Sequence, residues 1–128
     1  MVIPENYKKV LDTFIERNGN RTVDLFVVLK MDELIDKWSI LLAAPWINEE
    51  NRKETFGSLA NILIEVLGEE EIAEVARVGV FPSSYYLVGL FAEKFRAGQY
   101  IKEDARINGN VIHEGYIIKC GSDQAPTQ

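Results

Sequence analysis

The sequence predicts an α+β fold: a mixed sheet of roughly five strands with three helices packed on it, ending in a C-terminal β-hairpin. Three observations lead there. Apolar residues switch period along the chain, from helical spacing to short continuous or alternating runs. Proline and glycine mark the boundaries, at Pro4, Pro45, Gly68, Pro82 and Gly98. Asn108-Gly109 stands between two strand-like segments, a strong local hairpin signal. The resulting order is α-β-β-α-β-α-β-β. It fills residues 1–121 as one domain, and the small polar residues 122–128 are expected to fray.

The first helix is expected over residues 5–17. Pro4 suits a first turn, Glu5 favours its positive end, and Tyr7, Val10, Leu11, Phe14 and Ile15 recur at helical spacing. Asn18 and Gly19 are suited to a left-handed stop. TVDLFVVLK, residues 22–30, is β-branched and aromatic and reads as a strand, with a helix starting at Thr22 as the alternative. Residues 37–44 are apolar nearly throughout, as for a strand covered on both faces, and Pro45 ends it.

Asn48 is expected to cap a helix running to Leu67, with Phe56, Leu59, Ala60, Leu63, Val66 and Leu67 inward and Gly68 at its end. One further helical turn fits residues 69–74. Ala76–Phe81 reads as a strand with Val78 and Val80 on one face, stopped by Pro82. Ser83 or Ser84 then caps a helix with Leu87, Val88, Phe91 and Phe95 inward. In the hairpin, a two-residue turn at Asn108-Gly109 makes the numbers of facing residues sum to 217. His113 then faces Asp104, and Glu103 faces Glu114.

Composition excludes several function classes. Net charge is −6 and the pI about 4.8, which opposes binding to nucleic acid. Eight glutamates between residues 49 and 74, against Arg52 and Lys53, account for the whole net charge. That segment reads as a solvated helix face, or else as a docking surface for a basic partner. No apolar stretch is long enough to span a bilayer, and the N-terminal residues do not read as a signal peptide, so a cytoplasmic setting without membrane attachment is expected. One cysteine, Cys120, forms no intrachain disulfide. A single Cys and a single His preclude a Cys/His zinc site within the chain, and no glycine-rich phosphate loop is present. Neither a metal nor a cofactor is expected.

The candidate site residues form no catalytic set. His113 beside Asp104 resembles an oriented base, but Lys102, Arg106 and Lys119 share that face, as on a solvated sheet surface. Glu103 against Glu114 on an apolar face is a repulsive pair, which a sheet margin, a different register or a functional carboxylate site would each explain. Trp38 lies within a strand and reads as core. Trp46, in a strand-to-helix loop beside Pro45, is the better candidate for exposure and reads as a pocket or interface residue or else as a lid on the core. Tyr85 and Tyr86 follow a helix cap and are further candidates.

The leading expectation is a non-catalytic interaction module that forms a homodimer, through the Pro45-Trp46-Ile47 loop or the outer hairpin strand Val111–Lys119. One alternative is a small-molecule-binding protein or enzyme with an apolar pocket between helices and sheet. Its pocket would be lined by Trp46, Phe56, Tyr85 or Tyr86, with the carboxylates of Glu103 and Glu114. Another is an inhibitor or immunity-like acidic partner of a basic protein. The reading leans against an enzyme.

Overall fold

A computed structural model describes residues 3–31, 37–102, 104–107 and 109–120. The fold is α+β, with three helices and a six-stranded mixed sheet. Helix α1 spans Ile3–Arg17, strand β1 Leu25–Met31, β2 Trp38–Ala44, helix α2 Arg52–Ile72 and β3 Val75–Pro82. Helix α3 spans Tyr86–Lys94, followed by β4 Tyr100–Ile101, β5 Ala105–Ile107 and β6 Asn110–Cys120. The sheet order is β3-β2-β1-β6-β4, and β5 also pairs with β6. Among the described residues only β2 and β3 run parallel, because α2 carries the chain back between them. The expected tail 122–128 lies outside the described residues.

Strand β1 is central and buried from Leu25 to Leu29; it makes the later part of the expected strand 22–30, from Leu25 on, strand rather than helix, while residues 22–24 precede it. Its side chains alternate between two cores. Phe26 and Val28 join Val10, Phe14, Leu42, Leu59 and Leu63 beneath α1 and α2. Leu25, Val27 and Leu29 join Val88, Phe91, Ile112 and Ile117 beneath α3. The continuous apolar run of a strand buried on both faces is thus explained by its place in the sheet.

Several boundaries shift for identifiable reasons. The Asn48 side chain accepts from the N–H groups of Glu50 and Asn51 at 2.9 and 3.0 Å, closing a turn ahead of the helix. Asn51 therefore sits at the start of α2, and Thr55 donates its backbone N–H to the Asn51 carbonyl. Gly68 breaks the helical geometry at φ 82° and ψ 172°, and helix then resumes to Ile72. Ser83 does not cap α3. Its hydroxyl donates to Asp24 at 2.7 Å, and Tyr85 takes the capping position without a side-chain bond.

The sixth strand arises from a bulge in the hairpin. Ile107 pairs with Asn110 and Ala105 with Ile112, keeping the expected sum, though Asn108 lies outside the described residues. Ile101 pairs with Gly115 and Tyr100 with Tyr116, one short of that sum. Between these two pairings the register therefore shifts by one, and the single expected strand becomes β4 and β5. The expected pair of Glu103 with Glu114 falls on Glu103, which lies outside the described residues.

Candidate functional site

His113 and Asp104 meet as the hairpin register requires, with Nδ1 3.0 Å from Oδ1. The Asp104 side chain is 70% exposed and that of His113 34%. Among the described residues the contact of this ring is to the Asp104 carboxylate, not to a hydroxyl or thiol that it could activate. Cys120 is packed beside the Phe95 carbonyl, and burial pushes its thiol above the ordinary range, away from the thiolate that nucleophilic chemistry needs. Among the described residues no group of three or more His, Cys, Asp or Glu could hold a metal ion.

Glu114 belongs to a different constellation. It lies 3.6 Å from the Lys30 ammonium and accepts the Tyr100 hydroxyl at 2.9 Å. Lys30 in turn sits 4.6 Å above the Trp38 ring. Tyr100 stacks on Tyr116 with ring centroids 4.7 Å apart, and Tyr116 leans on Trp38 at 5.9 Å. One carboxylate, one ammonium and three aromatic rings therefore share the end of the sheet where β1, β2, β4 and β6 meet. The hydrogen bond to Glu114, with burial, pushes Tyr100 up to about 12. Burial first, and the Glu114 charge second, raises Tyr116 as well. Tyr7, on α1, is raised by burial and by Glu71 and Glu74. All three phenols are shifted toward the neutral form, and Tyr100 uses it to donate to Glu114. The Tyr116 hydroxyl is buried and makes no hydrogen bond of ordinary geometry among the described residues.

The tryptophans occupy separate places. Trp38 is core, 3% exposed. Trp46 is half-buried: its ring stacks on Phe14 at 5.9 Å, its indole N–H donates to the Thr22 carbonyl at 2.9 Å, and Arg21 covers the ring at 4.0 Å. The loop around Trp46 is thereby tied to the body of the fold. Tyr85 stacks on Phe81 at 4.3 Å, with Tyr86 packed edge-on against it. Two of the residues expected to line one pocket, Trp46 and Phe56, lie on separate clefts. Trp46 lines a cleft with Arg17, Asn51 and Ser58, whereas Phe56 lines a different one with Lys53, Val78 and Gly79. The expected dimer edge is also corrected: β6 lies inside the sheet, between β1 and the pair β4 and β5.

The surface that the sequence reading missed lies along α2. Phe56, expected in the core, is 42% exposed, and Ile64 is 60% exposed. With Ala60 between them, they form an apolar stripe at i, i+4 and i+8. The buried stripe is instead Thr55, Leu59, Ile62, Leu63 and Leu67. A helix apolar on two faces was the available signal, because a helix at a protein surface buries one such face within its own fold. The exposed stripe borders β3, which has no strand on its outer side among the described residues. Ala60 and Ile64 share a shallow cleft of about 210 Å³ with Ile72, Val75 and Val78.

Comparison of the chain with protein families, curated proteins and solved structures finds no match. Among the described residues no helix is long and apolar enough to cross a membrane.

Proposed function

We propose that this protein is a non-catalytic interaction module that pairs with a second copy of itself through α2 and the adjoining β3 edge. One observation carries the reading: Phe56 and Ile64, large apolar side chains, stand exposed on one stripe beside an open sheet edge. Leaving them in water forgoes roughly 1.5–3 kcal/mol of burial for each fully coverable side chain.

A second copy suits the stripe better than an unrelated partner, because the stripe is self-complementary. Phe56 and Ile64 lie equally far along the helix from Ala60. A two-fold axis at Ala60 with the helices antiparallel sets Phe56 of one copy against Ile64 of the other. The same operation brings Lys53 to the Gly68-Glu69 end of the partner helix, so a cation meets an acidic terminus. Glu65 points away from this contact toward α1, where it pairs with Arg17 at 2.8 Å. The Glu65 carboxylate therefore flanks the apolar stripe instead of opposing its own image across it.

The test is mass by light scattering at about 0.1 M and 1 M salt, between which screening shortens to about 3 Å. A dimer that persists at both, and that Phe56→Asp or Ile64→Asp converts to a folded monomer, is the expected result. Trp46→Ala should leave the mass unchanged. A wild-type monomer at every concentration overturns the reading, as does a dimer insensitive to both aspartate variants.

A further inference from the structure

The opposite edge of the sheet carries a second unassigned feature. A cleft of about 280 Å³ lies between α1 and the β4 margin, lined by Lys8, Gly98, Gln99, Tyr100, Tyr116, Ile117 and Ile118. Its origin is topological. Helix α1 packs mainly on α2 and lies only lightly against β6. The half-buried Tyr100 and Ile118 are therefore left partly uncovered beside it, with the buried Tyr116 stacked behind Tyr100. The loop entering β4 is fixed from below, with the Gly98 N–H donating to the Ile117 carbonyl at 2.6 Å and the Ile117 N–H to Gln99 at 2.9 Å. Gly98 adopts φ 89°, and the space where its Cβ would stand is open. The cleft thus has a fixed, mostly apolar floor with an aromatic pair in it.

Lys8 is the one charged residue of the lining. It is exposed and forms no ion pair among the described residues. The nearby carboxylate, Glu114, is already held by Lys30 and Tyr100. The cleft therefore offers a flat aromatic surface and one uncommitted ammonium. Its volume is at the low end for ligand sites, which suits one or two rings.

We propose that this cleft binds a small aromatic carboxylate, its ring extending the Tyr100–Tyr116 stack and its anionic group meeting Lys8. Offset stacking on a tyrosine supplies the ring contact. The ammonium supplies the charge preference, which the protein's net negative field would otherwise oppose. The site is independent of the self-association surface, which lies across the sheet on β3 and α2.

The experiment is an amide chemical-shift titration of the whole chain with 2-naphthoate, 2-naphthalenemethanol and 2-naphthylmethylamine. The expected result is that shifts centre on Lys8, Gly98–Tyr100 and Ile117–Ile118, with 2-naphthoate binding tightest. Lys8→Gln should weaken 2-naphthoate about three- to fivefold, as for an exposed ion pair, and leave the alcohol unchanged. Tyr100→Leu, which keeps apolar volume but removes the stacking face, should weaken all three while the rest of the spectrum keeps its dispersion. Equal binding of the three compounds, tighter binding of the amine, shifts centred on Phe56 and Ile64, or no shifts at all would each overturn the proposal.

Discussion

Replacing Tyr116 with phenylalanine should stabilise the protein. The ring is 3% exposed, stacked on Tyr100 at 4.7 Å and tilted against Trp38 at 5.9 Å, so Phe keeps every carbon contact. The hydroxyl it removes is buried and makes no hydrogen bond of ordinary geometry among the described residues. A buried polar group left unpaired costs about 1–3 kcal/mol. The lower end applies, because the Tyr100 hydroxyl lies close enough to offer partial electrostatic compensation. A gain of about 1 kcal/mol is expected. At about 2.1 cal per mol per K per residue over 128 residues, that raises Tm by about 4 °C. Thermal unfolding by circular dichroism, with a urea titration to confirm an unchanged m-value, measures it. A fall in Tm would refute the reasoning, since it would mean that the hydroxyl makes a stabilising bond. The cycle with Tyr100→Phe would then show non-additivity, locating that bond on Tyr100.

Raising the pH through the tyrosine range should destabilise the fold. Tyr7, Tyr100 and Tyr116 all have folded-state values above the ordinary one near 10. The native state therefore holds more protons than the unfolded state, and the stability they contribute, complete below about pH 10, is lost as pH climbs toward 12. Urea midpoints at pH 8, 10 and 11 should fall only above 10, and a flat profile would contradict the assigned burial. Gly115→Ala should cost about 1–3 kcal/mol, because the added methyl would stand 2.7 Å from Leu29 Cδ2 and 3.4 Å from the Val28 carbonyl; an unchanged urea midpoint would show that β1 yields there. His113→Ala should shift stability by no more than about 0.5 kcal/mol, as for a surface pair, and a larger loss would show that the pair with Asp104 supports the hairpin.

The periodic and punctuated parts of the chain were legible from the sequence. The Tyr7-Val10-Leu11-Phe14 stripe, the Gly68 break, the prolines at 45 and 82 and the Asn108-Gly109 hairpin each act over a few residues, through spacing or restricted φ angles. They sufficed for the element order and for the meeting of Asp104 with His113. The same locality set the limit. A register counted outward from a turn holds only until the first irregularity, and between Ala105 and Ile101 it slips by one residue. Glu114 met Lys30 and Tyr100, a union made by β1 and β4 flanking β6. Phe56 looked like core because it shares a helix with Leu59 and Leu63. Only the placement of β3 at the sheet edge, and of α1 along the other flank of α2, decided which apolar stripe had something to cover it. Helical period says that a face is apolar; which apolar face is buried depends on what the rest of the chain sets against it.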